Sequence, residues 1–389
     1  MYNIILESDM ADIFTKGDFG MKVIILTMST GNGHHIASRA LCEYLKSRDI
    51  DAQIVDAYKY FNKIFSDLLE KGYLLATRYT PYVYGKFYRN IEKHDHTDSK
   101  ITWSHFCNSF VARQFARYIS KQNPDMVVST HPLASYLITR YKSKKLVNTK
   151  TIGIITDFCV HPYWEQTKMD YYVCANELIV NQLVKKGISE DKILPFGIPI
   201  EMKFSEKTDK SEARKMLGIE DKKTVFVITG SMGYGNTAKY IRALDRMNED
   251  FQIISVCGNN SAMKKHIDSL KTNKKIYNYG FVNNVNLMMD ASDIIITKPG
   301  GLTVSEAIAK KLPVILVDPI PGQEDRNREF LLNNGLAVGV SETLPVDEVL
   351  YELLHCETRC EQIIKMQSLL GHDNSAETLG NFIINYIGE

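Results

Sequence analysis

The 389-residue chain has no apolar run of the roughly 18 residues that cross a bilayer, and its N-terminus lacks the charged-then-apolar order of a signal peptide. Both absences lead to the expectation of a cytoplasmic protein. Charge of one sign is also missing: 47 Lys and Arg stand against 46 Asp and Glu, a net +1. That excludes an overall polyelectrolyte attraction to nucleic acid, so any hold on an anionic surface must come from local clustering. The seven cysteines are odd in number and contain no CxxC pair, which argues against a disulfide framework and for a reduced compartment. Cys356 and Cys360 are spaced i, i+4 with no nearby histidine or further cysteine, and they read as two buried thiols rather than metal ligands. A repeat with a period of roughly 20 to 50 residues is absent, which excludes a solenoid.

What is present is alternation. The length favours two domains, and apolar runs of strand length recur between helical patterns in two series. The first holds strands at Val23 to Thr27, Gln53 to Val55, Met126 to Val128, Ile152 to Ile155, Tyr171 to Val173 and Lys192 to Leu194, with a helix from about Ile36 to Arg48. The second holds Val225 to Ile228, Phe251 to Ile254, Ile276 to Asn278, Ile294 to Ile296 and Val314 to Val317. Continuous apolar strands joined by helices predict parallel sheets covered on both faces, so the fold class is α/β with two doubly wound, Rossmann-like domains. The expected division is residues 1–20 as a loosely held extension or the product of a misassigned start, 21–200 as the N-terminal domain, 201–223 as linker and short helix, 224–372 as the C-terminal domain, and 373–389 as a closing helix. The apolar face Leu379, Phe382, Ile383 and Ile387 predicts that this helix packs near the domain junction.

The most informative stretch runs from Ile294 to Glu329. An apolar strand ends at Lys298-Pro299-Gly300-Gly301 and a helix begins at once, which presents backbone N–H groups and the positive end of a helix dipole at a sheet edge. A diphosphate would be held there. Glu306 lies in the first turns of that helix, able to accept from ribose hydroxyls, and Gln323-Glu324-Asp325 after the next strand suit a polyhydroxylated sugar. Thr229-Gly230-Ser231-Met232-Gly233 is a further glycine turn able to offer N–H groups and a hydroxyl to phosphate. Phe281 by packing and Val282 through its backbone could bracket a base.

In the first domain, strand one ends in Thr30-Gly31-Asn32-Gly33-His34. The third glycine of a dinucleotide fingerprint is missing, and His34 at a helix N-terminus reads instead as a neutral base whose pKa the dipole lowers. Thr156-Asp157-Phe158-Cys159-Val160-His161 follows another strand at the same edge. Asp157 could support a base or cap a turn, and His161 and Trp164 could line the acceptor side of a cleft. Ser129-Thr130-His131-Pro132 has the same ambiguity. Tyr58 to Tyr118 is rich in aromatics and in Lys and Arg, which suits either an anionic membrane surface or helices covering the sheet.

Thr30-Gly31-Asn32-Gly33-His34, Thr156 to His161, Phe196-Gly197-Ile198-Pro199-Ile200 before the linker, and Thr297 to Thr303 through Pro321-Gly322-Gln323-Glu324, four motifs in this order, resemble the processive diacylglycerol glucosyltransferases and the related monogalactosyldiacylglycerol synthases, GT-B glycosyltransferases of the family 28 type, and more distantly the enzyme adding N-acetylglucosamine to lipid I. The resemblance runs from Met21 nearly to the C-terminus. It implies two domains facing across a cleft, and inverting transfer of a hexose, glucose in preference to galactose, from a UDP-sugar to diacylglycerol or a glycosyl-diacylglycerol. The site would be the cytoplasmic face of the membrane, the protein peripheral on an anionic surface, with no metal and no cofactor beyond the donor. A cell-wall lipid intermediate as acceptor and a non-catalytic nucleotide-sugar sensor are the competing readings. Residue by residue, the resemblance implies Phe281 and Val282 at uracil, Glu306 at ribose, and Ser231 with the Gly300, Gly301, Leu302 and Thr303 backbone at the diphosphate. It implies Gln323 and Glu324 at the sugar, and His34 as a catalytic or acceptor-positioning histidine, with Gly33 on the acceptor side. Plant synthases carry an acidic residue where this chain has Ser29, which leaves Asp157 as the alternative partner of His34.

Overall fold

The computed structural model describes residues 20–28, 32–57, 110–230 and 235–388. The N-terminal extension, most of the aromatic basic stretch and Ser231 lie outside the described residues. The strands are β1 (Lys22–Thr27), β2 (Asp51–Asp56), β3 (Met126–Ser129), β4 (Lys150–Ile154), β5 (Tyr171–Val173), β6 (Ile193–Leu194), β7 (Thr224–Ile228), β8 (Gln252–Val256), β9 (Ile276–Tyr279), β10 (Ile294–Thr297), β11 (Val314–Leu316) and β12 (Val338–Gly339). They form two six-stranded sheets, ordered β2-β1-β3-β4-β5-β6 and β12-β11-β10-β7-β8-β9. Every pairing is parallel, with Val23 opposite both Ala52 and Met126, and Ile295 opposite both Phe226 and Val314.

Parallel strands buried on both faces need apolar side chains at successive positions. Lys-Val-Ile-Ile-Leu-Thr in β1 and Thr-Val-Phe-Val-Ile in β7 supply them, and Val23 to Leu26 are fully buried. At about 1.5–3 kcal/mol for each large side chain taken out of water, these central strands anchor both cores. The order reverses between β1 and β3 in the first sheet and between β7 and β10 in the second. Such switch points open a crevice at the carboxyl ends of the strands. The α/β, doubly wound architecture expected from the apolar runs is what the chain adopts.

The last helix, Ser375–Gly388, returns to the first sheet. Leu379 and Ile383 join the core of Val23, Ile25 and Leu41, and Tyr44 donates to Asn381 at 2.8 Å. A Cβ on Gly380 would sit 2.2 Å from the Tyr44 ring, so the helix closes on a glycine. Ser375 bonds Ile198 O at 2.7 Å and receives Ile200 N, tying the same helix to the Gly197-Ile198-Pro199 segment. Gly197 has φ +90° and faces His372 Cβ at a distance a side chain could not fit, which accounts for a glycine there.

Several local expectations change. The first helix spans Asn32–Lys46, starting four residues before Ile36, so Gly33 and His34 lie in its first turn. Lys192 belongs to a short 3-10 turn, and β6 keeps only Ile193–Leu194. Cys356 is exposed, between helices Val346–His355 and Glu357–Leu370, and Cys360 is half-buried with its thiol on Leu353 O, so the pair is not two buried thiols. Among the described residues no helix is long and apolar enough to cross a membrane.

Candidate active site

Both switch points face one cleft of about 390 Å³ between the two sheets. On the C-terminal side β10 runs into Lys298-Pro299-Gly300-Gly301 and the helix Gly301–Ala309. Gly300 caps the helix in an extended conformation, and its N–H turns back to Lys298 O at 2.8 Å. The free donors are therefore those of Gly301, Leu302 and Thr303, which as first-turn residues have no acceptor within the helix. The two glycines are not equivalent. A Cβ on Gly300 would enter open space, whereas one on Gly301 would lie 1.9 Å from Thr156 O, the backbone of the opposite domain. That glycine lets the donor turn touch the segment after β4.

Glu306 sits one turn along, in the cleft wall, with its pKa raised to about 8 by burial and then by the charge of Glu201; Lys203 and Arg39 oppose the rise. Glu201 itself is held ionised below its ordinary value: burial pushes it up, but Lys203 at 2.6 Å and the Arg39 guanidinium outweigh that. Gln323 and Glu324 open the helix Gln323–Asn333 at the other end of the cleft. Glu324 accepts Ile320 N, and burial raises its pKa against the opposing charge of Lys298. Val282 lines the cleft, and Phe281 does so while 59% exposed.

On the N-terminal side His34 contacts Thr156 Oγ1 through Nδ1 at 3.0 Å and lies edge-on to His131, with ring centroids 4.9 Å apart. Its pKa is lowered by burial, with the charge of Asp157 and the carbonyl of Thr130 pulling the other way. Burial, and not the helix dipole expected from the sequence, is the first cause of the lowered pKa. Asp157 is pushed up by burial and pulled down by Asn327, His34 and Gln323. A neutral imidazole beside a hydrogen-bonded carboxylate can accept a proton and have the resulting cation stabilised.

The cleft thus gathers Gly33, His34, Asp157, Phe281, Val282, Gly300, Gly301, Leu302, Thr303, Glu306, Gln323 and Glu324, all anticipated from the sequence. Two expectations need correction. Trp164 is 2% exposed, packed on Gly153 and edge-on to Tyr172, so it belongs to the core and not to the acceptor side. His161 caps the turn Pro162–Gln166 by accepting Tyr163 N at 3.2 Å, and burial holds its pKa at about 3; it is not among the residues lining the cleft. Arg39, Glu201 and Lys203 were not anticipated. They come from distant segments and carry no local motif; the one available signal was a Glu-x-Lys just after the Gly197-Ile198-Pro199 turn.

Comparison with known proteins fits this geometry. Residues 34–200 match the family model of monogalactosyldiacylglycerol (MGDG) synthase, and residues 224–378 match the glycosyltransferase family 28 C-terminal domain. The processive diacylglycerol beta-glucosyltransferase of Bacillus pumilus (strain SAFR-032) is 28% identical over 92% of this chain and 93% of its own. The Bacillus cereus (strain AH187) protein of the same name is 29% identical over 88% of each. Among solved structures, Acinetobacter baumannii MurG superposes with a TM-score of 0.59 at 15% identity, covering 94% of this chain and 100% of that one. S. aureus MnaA, solved with UDP, gives 0.61 at 14% identity, covering 95% and 97%.

Two doubly wound domains whose switch points share a cleft are the GT-B fold, and the match to the family 28 C-terminal domain makes the chain a glycosyltransferase. The two matched halves together span most of the chain. The first half matches the monogalactosyldiacylglycerol synthase model, the second the glycosyltransferase family 28 C-terminal domain, and over most of its length the chain is similar to the processive diacylglycerol beta-glucosyltransferases.

Proposed function

We propose that the protein transfers a hexose, glucose in preference to galactose, from a UDP-sugar to diacylglycerol or a glycosyl-diacylglycerol at the cytoplasmic membrane face, with inversion at the anomeric carbon. The observation that carries the reading is the shared cleft: His34 and Asp157 face the helix start at Gly301 and the carboxylate of Glu306 across it. Full-length relatives named for diacylglycerol glucosyl transfer supply the acceptor class.

In this reading uracil lies by Phe281 and Val282, ribose hydroxyls meet Glu306, and the diphosphate takes the N–H groups of Gly301, Leu302 and Thr303 with Lys298 nearby. Gln323 and Glu324 hold the sugar. The base role requires the tautomer in which Nδ1–H is given to Thr156 Oγ1 and Nε2 of His34 keeps its lone pair for the acceptor hydroxyl. One displacement follows. The acceptor oxygen bonds to the anomeric carbon as its proton passes to His34, the bond to the diphosphate oxygen breaks, and the leaving charge falls on donors already aligned. Asp157 steadies the imidazolium. A donor site at a helix start does not itself need a cation; the sequence has no DxD cluster placed to bring one.

Replacing His34 by Ala should lower turnover about 10²- to 10⁴-fold, the usual range for a general base, with UDP affinity by calorimetry little changed. Turnover within a few-fold of wild type would remove the base assignment.

A further inference from the structure

Asn327 lies one helical turn after Gln323 on the helix Gln323–Asn333, fully buried beneath the cleft, and its amide spans the two domains. Nδ2 donates to Asp157 Oδ1 at 2.8 Å and to Pro299 O at 3.0 Å. Oδ1 accepts the backbone N–H of Phe158 at 2.9 Å and the thiol of Cys159 at 3.5 Å. Two donor hydrogens and two lone pairs are the full capacity of a carboxamide, and all four are used. The surroundings also fix which end is nitrogen: Pro299 O and the Asp157 carboxylate can only accept there, and Phe158 N–H can only donate. Aspartate could not serve both acceptors, glutamine is a methylene too long, and an apolar residue would leave buried polar groups unpaired.

We infer that Asn327 is a positioning residue that fixes the donor turn to the partner of the catalytic base, so that the diphosphate site and His34 keep one separation. The inference rests on the roles proposed above for His34 and Asp157. Its Pro299 contact sets the peptide plane entering Gly300-Gly301. Its Asp157 contact holds that carboxyl in place and pulls its pKa down against the rise from burial. Phe158, whose N–H it receives, also stacks on Phe330 of the same helix at 5.9 Å between centroids. Gly301 approaches the Thr156 backbone at the same joint, so closely that a Cβ there would lie 1.9 Å from Thr156 O. The titratable groups around Asp157 are His34 and Glu324, and His34 in turn faces His131 and His161.

Asn327→Leu removes all four bonds; Asn327→Ser keeps one hydroxyl in a smaller side chain and serves if the first variant does not fold. Misplacement of about 1 Å between reacting groups lowers rate about 100-fold, and a loss of that order in kcat is expected for either variant, with UDP affinity changed by less than about 5-fold. A loss caused only by weakened folding would leave the pH behaviour alone. Positioning predicts otherwise: without the Asn327 bond Asp157 takes up a proton more readily, and the acidic limb of kcat/KM, which reports protonation of the free base His34, moves to lower pH. The His34 ring, deprived of an ionised neighbour, titrates at lower pH by NMR. An unmoved acidic limb with an unmoved His34 titration would overturn the inference, whatever the loss in rate. Should the protein fail to glycosylate diacylglycerol at all, the NMR titration and UDP calorimetry still decide the role of Asn327, because neither needs the acceptor.

Discussion

Glu306→Gln should strengthen the ligand-free protein at alkaline pH while weakening its hold on UDP. Burial and the nearby charge of Glu201 raise the Glu306 carboxyl from an ordinary 4.5 to about 8. Each pKa unit is about 1.4 kcal/mol, so the folded chain prefers the neutral acid by up to about 5 kcal/mol. The sign follows from proton uptake. The folded pKa lies above the unfolded one, so the contribution is fully present below pH 4.5 and is lost as pH rises towards about 8, where the folded protein must also ionise. Glutamine cannot ionise. Urea unfolding of the two proteins should therefore differ little at about pH 5 and separate by up to about 5 kcal/mol in favour of the variant at about pH 8.5, with unchanged m. UDP should reverse the order, since an ionised Glu306 accepts from the ribose hydroxyls. Calorimetry in buffers of different ionisation enthalpy should then show proton release on binding at neutral pH. A stability difference that is the same at both pH values would refute the reasoning.

Other consequences concern packing. Gly301→Ala drives a methyl into Thr156 O, and it should lower both the melting temperature and kcat/KM, whereas Gly300→Ala, facing open space, should leave the melting temperature within about 2 °C of wild type. Lys310 and Asp290 form a pair at 2.8 Å with side chains only 2% and 1% exposed. Lys310→Met strands the carboxylate and should lower unfolding free energy by about 3–5 kcal/mol, and adding Asp290→Leu should recover most of it; an additive loss in the double variant would contradict the pairing.

Much of the architecture is legible in the chain because parallel strands buried on both faces leave an unbroken apolar run, as in Val23 to Leu26 and Ile294 to Ile296. The donor half of the site is legible for a related reason. A glycine turn after such a strand, followed at once by a helix, brings its chemistry in one contiguous segment, so Gly301, Glu306 and Gln323 could be named together. What sequence does not carry is contact across the cleft. Asn327 meets Asp157 over 170 residues and Arg39 meets Glu201 over 162, and neither pairing leaves a periodic trace. Trp164 shows the converse error: its place after an edge motif suggested the cleft, but the missing side chain of Gly153 makes a slot for it in the core. The helix Glu357–Leu370 buries little besides Ile363 and Gln367, too few positions to mark a face in advance.

The central claim is a proton transfer and a displacement in one cleft, with diacylglycerol as acceptor. Its most direct test is the product formed from anionic diacylglycerol vesicles and UDP-glucose, read by mass spectrometry and by NMR of the anomeric proton, for wild type and His34→Ala side by side. The account predicts β-linked glucosyl-diacylglycerol from the wild type and at least about 100-fold less from the variant. An α-linked product, equal yields from both proteins, or no lipid product with UDP-glucose or UDP-galactose would contradict it.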